Sequence, residues 1–247
     1  MLDLQGDVLV SMQSVLKRRT QGDSVFELDV PEFDARRGQL TAVVGDSGCG
    51  KSTLLDLIAL VMKPTHAGSF HLQVDDQSYD IAECWSNNDE SRLAAFRRLH
   101  LGYVLQTGGL LPFLSVSDNI LLPARVKGIE VSEQRLNRLS ERLGIATCLE
   151  RKPDALSIGQ RQRVGILRAL IHFPALILAD EPTAAVDKTR ALSIMHEMSA
   201  LAREEGQSVI VVTHDVDLVA DLADQTYGFY TTQLNENVTQ SVCKRVS

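Results

Sequence analysis

The stretch Gly45-Asp46-Ser47-Gly48-Cys49-Gly50-Lys51-Ser52-Thr53 lies between an apolar run, Leu40 to Val44, and a helix-like run, Leu54 to Leu60. Strand, glycine turn and helix in that order point to an α/β fold in which the first helix starts at the turn. The spacing from Gly45 to Gly50, Lys51 and Ser52 is the G-x-x-x-x-G-K-[ST] pattern. Its glycines let successive backbone N–H groups wrap an anion, and the helix N-terminus adds partial positive charge. On this reading Lys51 reaches the β- and γ-phosphates of a nucleotide, Ser52 ligates Mg²⁺, and the Thr53 N–H faces the α-phosphate. A glycine turn before an unrelated helix is the plainer alternative, and the flanks on both sides weigh against it.

The remaining segments build around this unit. Val8 to Met12 and Val25 to Val30 read as short strands joined by a basic turn, Lys17 to Asp23, forming an antiparallel flap. Asp34 to Gly38 reads as a charged turn, Ser69 to Val74 as an alternating strand, Asp89 to Arg98 as a capped helix, and Leu101 to Leu105 as a strand ending at Gln106. Ser117 to Leu143 reads as helical throughout, with Pro123 as a kink and Gly128 as a break. Thereafter helix and strand alternate: Gln160 to His172, Leu176 to Ala179, Lys188 to Glu205, Ser208 to Val212, Asp215 to Leu222 and Thr226 to Tyr230. Alternation of this kind builds a mostly parallel sheet covered on both faces. The polar end, Thr231 to Ser247, closes in a hairpin around Asn235-Glu236-Asn237 or is frayed. The expected organisation is one domain over 1–247. Segments 1–106 and 156–247 form the core with its antiparallel β subdomain, and 107–155 is an inserted α-helical subdomain.

Composition narrows the setting. With 32 acidic against 25 basic residues the chain carries a net charge of −7, which argues against a broad nucleic-acid surface. No uninterrupted apolar run has the length of a membrane span, and Met1 to Val10 carries acids where a secretory leader carries Lys or Arg, so a cytoplasmic location is expected. The cysteines, Cys49, Cys84, Cys148 and Cys243, include no C-x-x-C spacing and read as free thiols.

Three further constellations complete the reading. The apolar run Ala175 to Ala179 ends in Asp180-Glu181, which places paired carboxylates at the carboxyl end of a parallel strand, where open α/β sheets bind ligands. Beside a phosphate loop, the first holds Mg²⁺ and the second polarises the attacking water. Leu156-Ser157-Ile158-Gly159-Gln160 opens a helix and is, taken alone, an N-terminal cap. Taken in order after the loop and directly before Asp180-Glu181, it resembles the signature segment of the ATP-binding cassette (ABC) ATPases. Gln106 resembles that family's Q-loop, Ala184-Ala185-Val186-Asp187 its D-loop, and His214, after Val209 to Thr213, its switch histidine. Within the family the chain most resembles the lipoprotein-release and macrolide-efflux group, through Leu99 to Pro112, Asp118-Asn119-Ile120, Leu121-Leu122-Pro123 and Arg161-Gln162-Arg163-Val164.

The resemblance implies a P-loop NTPase core acting on ATP with Mg²⁺. Nucleotide is bound by Gly45 to Thr53, Gln106, Ser157, Gly159 and Gln160, and the metal by Ser52, Gln106 and Asp180. Catalysis falls to Glu181 as base, His214 on the γ-phosphate, and Lys51. It also implies a head-to-tail dimer, with each ATP between the phosphate loop of one copy and Ser157 to Gln160 of the other and Asp187 crossing between sites. The implied partner is a separate integral-membrane permease, met near Leu110-Leu111-Pro112-Phe113. No nucleic-acid partner is expected. An ATP-dependent regulatory switch that moves no cargo is an alternative, and a soluble non-transport cassette is a third. Two departures stand out. Ile158 replaces the first signature glycine, implying reduced or retuned turnover, and Arg18 and Arg19 stand where an aromatic residue commonly stacks on adenine.

Overall fold

The computed structural model describes residues 8–183 and 186–246. The chain opens with two long strands, β1 (Val8–Gln21) and β2 (Ser24–Arg36), paired antiparallel almost end to end. The basic segment expected to turn is therefore strand: Lys17, Arg18 and Arg19 pair with Leu28, Glu27 and Phe26, and the turn shrinks to Gly22-Asp23, with Gly22 at φ +57°. Charge does not oppose this, because Arg18 meets the Glu27 carboxylate across the ladder at 3.0 Å. Likewise β2 runs through the turn expected from Asp34 and ends at Arg36.

Next come β3 (Leu40–Val44), α1 (Lys51–Ile58), β4 (His66–Val74), β5 (Gln77–Asp80), α2 (Ile81–Ser86), α3 (Glu90–His100) and β6 (Leu101–Val104). The helices α4 (Val116–Lys127) and α5 (Glu133–Arg142) follow, then α6 (Ile158–Leu170), β7 (Leu176–Asp180), α7 (Lys188–Glu204), β8 (Ser208–Thr213), β9 (Gln225–Asn235) and β10 (Val238–Arg245). The helical stretch from Ser117 breaks at Gly128, as expected, where φ is +81°, and Pro123 lies inside α4. The helix expected from Asp215 to Leu222 is only a 3₁₀ turn, Val216–Leu218, because the Asp215 carboxylate takes the Asp217 N–H and tightens the start.

The sheet order is β5-β4-β1-β2-β10-β9-β3-β8-β7-β6. Strands β9, β3, β8, β7 and β6 run parallel, and β8 is buried along its whole length, as a strand covered on both faces must be. Side chains alternate across it with period two. Val43, Leu178, Ile210 and Val212 face the core shared with α1, β1 and β2, whereas Ala42, Ile177, Val209 and Val211 face α4, α6 and α7. The polar end resolves as a β9–β10 hairpin, and β10 pairs parallel with β2, joining the antiparallel and parallel parts into one sheet. Among the described residues, no helix is long and apolar enough to cross a membrane.

One buried histidine makes the fold acid-sensitive. His172, just beyond α6, is 2% exposed, and its Nε2 donates to the Leu101 carbonyl at 3.0 Å. Burial pulls its pKa from 6.5 down to about 4. Between those values the unfolded chain binds more protons than the folded one, so stability falls as pH drops from 6.5 towards 4. The expected loss is about 3 kcal/mol. Urea denaturation at the two pH values should show it in the wild type and much less in His172→Gln, whose amide still donates.

Candidate nucleotide site

The phosphate loop joins the end of β3 to the start of α1. Gly48 and Gly50 adopt φ +82° and +109°, a region closed to most side chains, and Gly50 is the residue that starts α1. The turn leaves Ser47, Gly48, Gly50, Lys51, Ser52 and Thr53 lining a cleft of about 1040 Å³, a volume suited to a nucleotide. Gly45, Asp46 and Cys49 do not line it. The Gly45 and Asp46 carbonyls accept from Lys51 Nζ at 2.7 and 2.8 Å, and Cys49 is buried, where burial pushes its thiol pKa up.

Asp180 ends β7 and Glu181 follows at φ +43°, a strained conformation for a residue with a side chain. The Glu181 N–H donates to the Val212 carbonyl at 2.9 Å, which continues the β7–β8 ladder and holds the strain in place. Three predicted residues converge on its carboxylate. His214 Nδ1 lies 3.1 Å from Oε1, Lys51 Nζ is 3.9 Å from the same oxygen, and Gln106 Nε2 donates to Oε2 at 3.4 Å. Thus His214 contacts the carboxylate itself here.

Ser52 Oγ donates to Asp180 Oδ1 at 3.5 Å. Burial raises the Asp180 pKa, the Ser52 bond and Lys51 oppose the rise, and the Glu181 charge adds to it. The Ser52 hydroxyl, the half-buried Asp180 carboxylate and the carboxamide oxygen of Gln106 line the same cleft and supply oxygen donors. That chemistry fits Mg²⁺, a hard cation bound by one or two carboxylates together with phosphate oxygens and water.

The Ser157 to Gln160 segment lies away from this cleft and starts α6. Ser157 accepts from the Gln160 N–H at 3.2 Å and Gln160 Oε1 accepts from the Ser157 N–H at 2.9 Å, a reciprocal cap. Ile158 is 50% exposed, and among the described residues a Cβ at Gly159 would meet only Val186 Cγ1, at an ordinary contact distance of 3.7 Å. Asp187 caps α7 by accepting from the Arg190 N–H at 3.1 Å; Ala184 and Ala185 lie outside the described residues. Of Arg18 and Arg19, Arg19 lines the cleft and Arg18 is engaged with Glu27.

Sequence reasoning missed the residues that hold these parts together. Gln162, buried in α6, donates to the Pro182 carbonyl directly after Glu181. Arg168 donates to the carbonyls of Gly108 and Gly109, just after Gln106, at 2.8 and 2.7 Å. Asn119, fully buried, accepts from the Leu111 N–H at 2.7 Å and donates to its carbonyl at 3.0 Å. Helix α6 therefore connects the Ser157 cap to both the Gln106 and Glu181 turns. The motifs Arg161-Gln162-Arg163 and Asp118-Asn119-Ile120 held the signal for Gln162 and Asn119, and neither carries information on the carbonyl its side chain would meet.

Comparison with known proteins places the chain in a family. The profile of the family described as ABC transporter matches residues 28–184. The lipoprotein-releasing system ATP-binding protein LolD of Hydrogenovibrio crunogenus is 38% identical over 196 residues, covering 78% of this chain and 81% of that protein. The macrolide export ATP-binding/permease protein MacB 1 of Aeromonas hydrophila is 38% identical over 213 residues, 84% of this chain but 31% of the longer relative. Among solved structures, the dimeric post-hydrolysis state of the cassette MJ0796 bound to ADP and Pi superposes with a TM-score of 0.74 at 33% identity, covering 89% of this chain and 94% of that one. The same protein, from Methanocaldococcus jannaschii, is 34% identical to this chain over 218 residues. With a profile match over most of its length and relatives above 30% identity, the chain belongs to the ABC transporter family, as its ATPase cassette.

Proposed function

We propose that copies of this chain pair head to tail around Mg-ATP, hydrolyse it, and drive a separate membrane permease of lipoprotein-release or efflux type from the cytoplasmic face. The observation that carries the reading is the convergence of Lys51, Gln106 and His214 on the strained Glu181 beside the phosphate loop. Lys51 exchanges its loop carbonyls for phosphate oxygens, the backbone N–H groups from Gly48 to Thr53 wrap the anion, and Ser52, Asp180 and Gln106 hold Mg²⁺. When bound, Mg²⁺ neutralises charge shared by the β- and γ-phosphates. Glu181 orients and deprotonates the attacking water, and His214 passes between that carboxylate and the γ-phosphate. Ser157, Gly159 and Gln160 approach the γ-phosphate from the second copy, bringing a hydroxyl, a glycine N–H and a helix N-terminus. This accounts for a glycine at 159 that no close contact among the described residues requires and for the exposed apolar Ile158 beside it. Asp187 couples one site to the other.

The permease is read onto an apolar surface next to Gln106. Phe113 is 70% exposed, and Leu105, 43% exposed, lines a mainly apolar groove of about 310 Å³ together with Leu101, Tyr103, Leu122 and Pro123, with Arg168 and His172 also on its wall. An apolar groove of this kind takes the apolar face of a short helix. Co-expression with the permease tests the reading. Phe113→Glu should lower co-purification by at least about tenfold, the effect of losing one buried aromatic anchor, with ATP turnover of the isolated chain unchanged. Full retention of the permease would contradict this surface as the contact.

A further inference from the structure

The cleft continues beyond the phosphate loop. It runs past Ser24 and Phe26 of β2 to Arg19 on β1, and its far wall comes from the turn of the β9–β10 hairpin, including Glu236 and Asn237. Strand register puts the turn there. β10 lies parallel to β2 with Val238 beside Val25, and the Val25 N–H donates to the Asn237 carbonyl at 2.7 Å. The Gly22-Asp23 turn and the Glu236-Asn237 turn therefore sit side by side at one end of the sheet.

The turn is braced by its own chain. Asn235 Oδ1 accepts from the Asn237 N–H at 3.0 Å, and Gln233 Nε2 donates to the Glu236 carbonyl at 3.5 Å. The Glu236 carboxylate and the Asn237 carboxamide make no hydrogen bond among the described residues. A braced turn with free polar side chains, on the wall of a cleft whose other end grips phosphate, is arranged to meet the remainder of the ligand.

We propose that the tip of the β9–β10 hairpin is the nucleoside-binding wall of the site, with Glu236 and Asn237 as specificity residues that hydrogen-bond the ribose and base. The proposal rests on the nucleotide reading above and adds to it a part of the chain outside the predicted motifs. A carboxamide presents coplanar donor and acceptor groups that match the edge of adenine, and a carboxylate accepts from ribose hydroxyls. Arg19 contributes a planar cation to the same cleft, a group able to stack on a base. Recognition by Glu236, Asn237 and Arg19 is thus polar, beside the Phe26 ring that also lines the cleft.

Calorimetric titration of the full chain with Mg-ATP and with Mg-tripolyphosphate tests this, since the second ligand has phosphates and no nucleoside. The Glu236→Ala/Asn237→Ala variant should bind Mg-ATP about tenfold more weakly and Mg-tripolyphosphate as the wild type does. Asn237→Gly, which keeps a turn-forming residue, gives the same readout should the double variant fail to fold. Unchanged ATP affinity overturns the proposal. An equal loss for both ligands also overturns it, because the turn would then act through β2 on the phosphate loop. A wild type that binds tripolyphosphate and ATP equally well removes the nucleoside wall but keeps the phosphate site, whereas a wild type that binds neither removes both.

Discussion

Glu181→Gln is expected to lower steady-state ATP turnover by about a thousandfold, within the range assigned to loss of a positioned general base, while leaving ATP binding intact. The substitution is nearly isosteric, so the strained turn and its Val212 bond are kept, and an amide can still meet Gln106 or His214. What disappears is the negative charge that takes a proton from water and lies 3.9 Å from Lys51. Phosphate release by the purified variant measures the effect. Turnover near the wild-type rate would remove Glu181 from the role proposed for it and would require another base in the cleft.

Lys51→Met is expected to weaken Mg-ATP binding by about a hundredfold, the equivalent of losing one or two charge-assisted hydrogen bonds. Lys51 is 5% exposed and its ammonium donates to the carbonyls of Gly45 and Asp46, so it already stands inside the loop that wraps the phosphates. Methionine fills the space of the stem without the charge. The two carbonyls lose their donor, a cost of about 1–2 kcal/mol, which denaturation would separate from the loss of binding. Titration with a fluorescent ATP analogue measures the affinity, and an unchanged value would place the phosphates elsewhere.

The parts of this molecule that were legible from sequence are those set by short-range chemistry. Gly48 and Gly50 must be glycine where the loop takes positive φ, and an apolar run ending in Asp180-Glu181 can be placed at the carboxyl edge of a parallel sheet without knowing its neighbours. The cap made by Ser157 and Gln160 is likewise local. The extent of β1 and β2 was hidden, because Arg18 reads as turn chemistry until Glu27 is known to stand opposite it. The same limit concealed Gln162 and Arg168, whose partners are carbonyls 20 and about 60 residues away. The β9–β10 turn was visible as a hairpin candidate. Its place on the cleft wall depends on β10 joining β2 in parallel, a long-range pairing that no local pattern encodes. Asp215 to Leu222 failed in the opposite sense, since a plausible helical run was overruled by one carboxylate bonding to its own backbone.

The central claim is that the ATP site is completed by a second copy of the chain. Size-exclusion chromatography with light scattering on Glu181→Gln, with and without Mg-ATP, tests it most directly, because the variant binds ATP and cannot clear it. The account predicts the mass of two chains with Mg-ATP, the mass of one without it, and the mass of one with Mg-ATP when Ser157→Arg is added to block the approach of α6. A single-chain mass in saturating Mg-ATP, or a double mass unaffected by Ser157→Arg, would contradict it.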